Sequence, residues 1–148
     1  MRKMLFVCVH NAGRSQMAEV FFNRLARERS LDAVAESAGT APGDQVNPLA
    51  AAAMAEIGLS MADRRPRLLT AAMAAGAERI ITMGCGVEAD QCPAGTYVTE
   101  DWQLPDPHGQ PITAVREIRD MVRERVVRLV DELAAERKPS RGEAEACQ

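Results

Sequence analysis

Apolar runs and helical stripes set the organisation of this chain. Residues 4–9 form a dense apolar run with β-branched and aromatic members, which predicts a strand buried on both faces. From residue 15 to about 29, Met17, Phe21 and Leu25 share one helical stripe, with Ala18 and Phe22 beside it. Residues 31–37 make a weaker strand candidate, ended by Ala38 and Gly39. The next helix is well punctuated: Asn47 suits the N-cap, Pro48 the first helical position and Gly58 the terminating left-handed residue. Thr70 can cap a short helix that stops near Gly76. Residues 79–83 read as another buried strand and residues 96–100 as a poorer fourth one. From residue 112 to about 136, Val115, Ile118, Val122, Val126, Leu129 and Leu133 step by three or four, the mark of a long amphipathic helix.

Strands that alternate with helices predict an α/β fold, a parallel sheet flanked by helices. One domain is expected over residues 1–137. Residues 138–148 are polar, contain Pro139 and Gly142, and are expected to form a flexible tail. In parallel sheets functional residues gather beyond the carboxyl ends of the strands. Cys8 ends the first strand, Cys85 follows the third and Asp106 lies in the loop after the fourth, so all three are expected on one sheet edge.

Composition narrows the function. A chain of 148 residues with 47% apolar and 26% charged content can bury a core without staples. Its net charge of -3 argues against broad binding to nucleic acid or anionic membrane. No stretch approaches the roughly 20 apolar residues of a membrane span. Basic Arg2 and Lys3 precede an apolar run as in a secretory leader, but His10 and Asn11 interrupt it too early, and a first strand fits better. A cytoplasmic protein is therefore expected. There the cysteines, Cys8, Cys85, Cys92 and Cys147, are reactive thiols or metal ligands rather than a structural disulfide framework.

The segment Cys8-Val9-His10-Asn11-Ala12-Gly13-Arg14-Ser15 joins a strand end, a turn of small residues and a helix start. A cysteine followed six residues later by arginine can hold a tetrahedral oxyanion. Backbone N–H groups of Val9, His10, Asn11, Ala12, Gly13, Arg14 and Ser15 would surround it, backed by the positive end of the helix. Gly13 lets the backbone come close, and the planar fork of Arg14 can clamp two oxygens. The same field favours the thiolate of Cys8. Ser15 either donates to that sulfur or caps the helix, and Asn11 braces the loop. An ordinary buried cysteine before a turn would share the spacing; the strand before it and the helix after it favour the anion loop.

Residues 7–19, from Val7-Cys8-Val9-His10-Asn11 to Met17-Ala18-Glu19, closely resemble the opening of arsenate reductases of the low-molecular-weight tyrosine phosphatase superfamily. Ser37-Ala38-Gly39-Thr40, Asn47-Pro48, Thr82-Met83-Gly84-Cys85-Gly86 and Asp101-Trp102-Gln103-Leu104-Pro105-Asp106-Pro107 resemble further family segments, in family order. The likeness covers roughly residues 4–133 and is loosest over 62–77. It implies a four-stranded parallel sheet and a redox relay of three cysteines. Cys8 would attack arsenate in the loop while Asp106 protonates the departing oxygen. Cys85 would then attack Cys8, releasing arsenite, and Cys92 would attack Cys85 to leave an exposed disulfide for thioredoxin. Each exchange needs an accessible thiolate within reach of a disulfide sulfur. Met83-Gly84-Cys85-Gly86 also resembles members that use mycothiol with a glutaredoxin-like partner; Cys92 favours thioredoxin. No bound cofactor is implied. Some family members bind potassium near the first loop, and Asn11, Glu19 and Ser37 are compatible, without a full ligand set. A monomer is expected.

Two other functions compete. A phosphotyrosine phosphatase would use the same loop and acid, with water hydrolysing a Cys8 phosphoenzyme. It needs no second thiol and favours aromatic walls, whereas aromatics total 3% here and His108-Gly109 follow the Asp-Pro pair. A non-catalytic metalloid-binding protein would use the thiols alone and leave Arg14 and Asp106 without a task. Cys85 and Cys92 can also be inert small hydrophobes, and Asp106, between two prolines, only a turn former. With His10 and His108 the only histidines, a zinc site is disfavoured.

Overall fold

The computed structural model describes residues 1–84 and 100–146, with side chains described as far as Glu136. Its elements run β1 (Arg2–Cys8), α1 (Arg14–Glu28), β2 (Ala33–Gly39), α2 (Pro48–Ala55), α3 (Ala71–Gly76), β3 (Arg79–Thr82), β4 (Glu100–Asp101) and α4 (Ile112–Ala146). The four strands form one parallel sheet in the order β2-β1-β3-β4. The expected α/β architecture is the observed one, and β1, the most apolar strand, lies between β2 and β3.

Period-2 alternation in β1 builds both faces of the core. Met4, Phe6 and Cys8 join α1, α2 and α4 in the larger cluster, through Met17, Phe22, Met54, Val122 and Val126 among others. Leu5 and Val7 face the other way, onto Ala38, Leu69, Ala74 and Ile80. Phe6 meets Phe22 edge-on at 6.3 Å and Trp102 at 5.4 Å between ring centroids. That contact draws the chain after β4 under the carboxyl end of the sheet.

The punctuation expected of the helices is present. The Asn47 side chain accepts hydrogen bonds from the N–H groups of Leu49 and Ala50, and Thr70 accepts one from Met73. Gly58, at φ +80°, follows α2 as the left-handed residue that ends it. Two boundaries differ. The fourth strand consists of Glu100–Asp101, the end of the expected segment, while residues 96–99 lie outside the described residues. The last helix runs past residue 136 to Ala146, beyond the point where the apolar stripe stops at Leu133 and Ala134.

Phe6→Ala should destabilise the fold by about 3–5 kcal/mol, since it empties the fully buried space between α1 and the Trp102 ring. Met121→Ala, at an exposed position of α4, should stay within about 0.5 kcal/mol. Urea unfolding of the two variants checks both values.

Candidate active site

Beyond the carboxyl end of β1 the chain turns through residues 9–13 before α1 begins. Five carbonyls of this turn point outward to partners. Cys8 O accepts from Thr40 N, Val9 O from Ala41 N, His10 O from Gly43 N and Ala12 O from Asn47 N, while Asn11 O accepts from Gln16 Nε2. The peptides are all trans, so each N–H that follows one of these carbonyls points the opposite way, into the concave side of the loop. One of them, the Asn11 N–H, reaches Cys8 Sγ at 3.3 Å. Anchoring the carbonyls outside is what turns the amides inward.

Cys8 is nearly buried, at 4% exposure, with its sulfur at the base of this cradle. Ser15 Oγ lies 3.0 Å from Sγ and also accepts a hydrogen bond from Asn11 Nδ2 at 2.8 Å. With its lone pair engaged by Asn11, the Ser15 hydroxyl is free to turn its proton to the sulfur. α1 has no side-chain cap at its N-terminus, and the Ser15 hydroxyl faces the thiol instead.

Asn11 is fully buried and left-handed, with φ 52°. Its side chain binds Ser15, accepts from Gln16 Nε2 at 2.9 Å and accepts from the Arg67 N–H at 2.9 Å. These bonds hold a backbone conformation that asparagine tolerates better than most residues. Behind the loop, Gln16 Oε1 accepts from Arg64 Nε at 2.8 Å. Glu19 pairs with Arg64 at 2.5 Å and with Arg67 at 2.7 Å, and accepts from Ser37 Oγ at 2.7 Å. Glu19 and Ser37, two of the residues compatible with a potassium site, are thus bonded to each other, and the Glu19 charge is met by two guanidinium groups.

Arg14 is 6% exposed, and its Nη1 donates to Met83 O at 2.9 Å and to Leu104 O at 2.7 Å. Its Nη2 lies 3.8 Å from Asp106 Oδ2. The arginine therefore ties the anion loop to the ends of β3 and of the segment after β4. Asp106 is largely exposed and its Oδ1 accepts from the His108 N–H at 2.9 Å, an Asx turn that aims the other oxygen back at Arg14. Gly13 allows the close approach of this loop: a Cβ there would lie 2.8 Å from Pro107 Cγ.

Cys8, Arg14 and Asp106 line one cleft of about 1000 Å³ with Val9, His10, Ala12, Gly13, Asn47, Leu49, Gly84, Leu104 and His108. Its described lining contains no Phe, Tyr or Trp. His10 contributes its backbone carbonyl to the turn and a side chain to the rim. Cys85 and Cys92 lie outside the described residues, as does Cys147. Among the described residues no group of three His, Cys, Asp or Glu side chains is placed to hold a metal ion. Arg64 and Arg67 carry no recognisable motif in the sequence, and Gln16 and Asp101 stand in family-like segments without a task assigned there; the contacts of all four emerge only in the fold.

Residues 3–139 match the family model described as low molecular weight phosphotyrosine protein phosphatase. A putative arsenate reductase of Halobacterium salinarum is 41% identical over 133 residues, covering 88% of this chain and 92% of the relative. The glutaredoxin arsenate reductase of Synechocystis sp. is 33% identical, over 90% of this chain and its own full length. Among solved structures, an arsenate reductase in the phosphate binding state superposes with a TM-score of 0.77 at 34% identity, over 90% of this chain and 99% of that one. The thioredoxin-dependent arsenate reductase of Corynebacterium glutamicum gives 0.73 at 30% identity, over 92% of this chain and 63% of that one.

Replacing Asn11 by Ala should remove its side-chain bonds and the support for a left-handed backbone. We expect a loss of roughly 2–3 kcal/mol in urea unfolding. Cys8 alkylation by iodoacetamide at pH 7 should also slow, because the donors around the sulfur lose their alignment.

Proposed function

This chain belongs to the low molecular weight phosphotyrosine protein phosphatase family, and we propose that it reduces arsenate to arsenite through a Cys8 thiol–arsenate adduct. The observation that carries this reading is a nearly buried sulfur facing an amide and a hydroxyl, beside a buried guanidinium. Thiolate is stabilised by such donors, and thiolate is the nucleophile. The inward amides of residues 9–13, joined by Arg14 and Ser15, seat three oxyanion oxygens, leaving the fourth toward Asp106. Cys8 attacks arsenic as Asp106 passes a proton to the departing oxygen, which leaves as water.

The next step is a two-electron exchange. The Cys85 thiolate attacks Cys8 Sγ, the S–S bond forms and the S–As bond breaks with its electron pair moving to arsenic. Arsenic(V) departs as arsenite and two thiols become one disulfide. Cys92 then attacks Cys85, freeing Cys8 and leaving a Cys85–Cys92 disulfide. Thioredoxin is the reductant this third cysteine suits, since exchange with a dithiol partner needs an accessible disulfide. The relatives divide on this point, one named for glutaredoxin and one for thioredoxin; mycothiol with a glutaredoxin-like partner is the second reductant to test. Such a relay belongs in a reducing compartment, and we place the protein in the cytoplasm. No helix among the described residues is long and apolar enough to cross a membrane.

A phosphatase shares Cys8, Arg14 and Asp106 but needs neither later thiol. The described lining of the cleft offers no aromatic wall for a phenyl ring, which favours a small inorganic oxyanion.

With thioredoxin, thioredoxin reductase and NADPH, arsenate turnover should vanish in Cys8→Ser, Cys85→Ser and Cys92→Ser. Turnover surviving in Cys85→Ser rules out the relay, and turnover surviving only in Cys92→Ser removes the third thiol from it; turnover with mycothiol and a glutaredoxin-like partner but not with thioredoxin moves the reductant there. Asp106→Asn should lower kcat by about 10²–10³. Cleavage of para-nitrophenyl phosphate far outpacing arsenate reduction would favour the phosphatase.

A further inference from the structure

Asp101 ends β4 on the exposed side of the sheet edge, yet three donors converge on its carboxylate. Oδ1 accepts from Thr82 Oγ1 at 2.5 Å and from the Gly84 N–H at 2.9 Å, and Oδ2 accepts from Gln103 Nε2. In the parallel register Asp101 stands opposite Thr82, and the Trp102 N–H donates to Thr82 O at 2.8 Å. Arg14 closes the same turn from the loop side by bridging Met83 O and Leu104 O. Gly84 itself is left-handed, with φ +72°, and a Cβ there would lie 2.9 Å from both Trp102 O and Leu104 N. Gly84 is thus held from three sides.

We infer that Asp101 is a positioning residue for the second thiol, holding Gly84 so that the next residue, Cys85, starts its approach to Cys8 from a fixed base. This rests on the arsenate-reducing relay proposed above. Exchange between two thiols of one chain depends on the effective concentration of the attacker at the target sulfur, and that falls as its tether loosens. A charged acceptor holds an N–H and a hydroxyl more firmly than a neutral one. The oxyanion seat does not depend on this clasp in the same degree. Arg14 keeps its bond to Leu104 O, Trp102 keeps its bond to Thr82 O, and the Asn11 N–H and Ser15 hydroxyl stay at Cys8 Sγ.

The test compares Asp101→Ala and Asp101→Asn with the unaltered residue, each in a full-length Cys92→Ser background that stops the exchange at Cys8–Cys85. Inorganic phosphate protects Cys8 from iodoacetamide and reports the oxyanion seat. A single turnover with arsenate, quenched with N-ethylmaleimide and read by peptide mass spectrometry, reports the rate of the Cys8–Cys85 disulfide. We expect phosphate protection within about twofold of the parent in both variants. Disulfide formation should slow by about tenfold in Asp101→Ala. Asp101→Asn, which keeps an oxygen for the Gly84 N–H, should recover much of the rate. An unchanged disulfide rate in Asp101→Ala overturns the inference, as does a loss of phosphate protection that matches the loss of rate. Failure of the Cys92→Ser parent to form the Cys8–Cys85 disulfide would instead overturn the relay, and this inference with it.

Discussion

The site depends on one buried cation. Arg14 sits almost out of solvent with a single terminal nitrogen bonded to two carbonyls, and its nearest carboxylate oxygen is 3.8 Å away. Removing a guanidinium from water costs several kcal/mol, and two neutral carbonyls offset only part of that. What remains is a standing demand for negative charge beside Cys8. In the proposed mechanism a Cys8 thiolate and a tetrahedral oxyanion would both meet that demand, so ionising the nucleophile and binding its target would draw on the same field. The carbonyls that hold Arg14 belong to the turns after β3 and after β4. The anion loop, the turn leading to Cys85 and the Asp106 loop are consequently one mechanical unit.

The rest of the fold keeps that unit in register. Packing of Phe6, Phe22 and Trp102 ties β1 to α1 and to the segment after β4. Outward bonds from five loop carbonyls convert an irregular turn into a bowl of amides. Behind the bowl, the Glu19 pairs with Arg64 and Arg67, together with Gln16, brace Asn11 in its left-handed state.

How much of this was legible in the sequence follows from the range of each interaction. The dense apolar run of β1, the Asn47-Pro48 helix start and the stripe of α4 are local patterns, and the structure has each of them. The meeting of Cys8 and Asp106 at one sheet edge followed from parallel topology; Cys85, expected with them, lies outside the described residues. Residues whose tasks depend on partners more than about forty positions away were not legible. Arg64 and Arg67 lie in the stretch with the loosest family likeness, and their pairing with Glu19 and Asn11 has no local signature. Asp101 stands in a family-like segment, but its bonds to Thr82 and Gly84 appear only once β4 is laid against β3. The end of α4 was misjudged for the opposite reason, because the apolar stripe marks what packs and not how far the hydrogen-bonded backbone continues.

The most direct test of the account is a crystal structure of the Cys85→Ser protein exposed to arsenate. The account predicts arsenic joined to Cys8 Sγ, its oxygens facing the amides of residues 9–13 and the free edge of Arg14, with Asp106 over the remaining oxygen. Arsenate found away from Cys8, or seated there with Arg14 turned from it, would contradict the claim that one buried guanidinium organises both nucleophile and substrate.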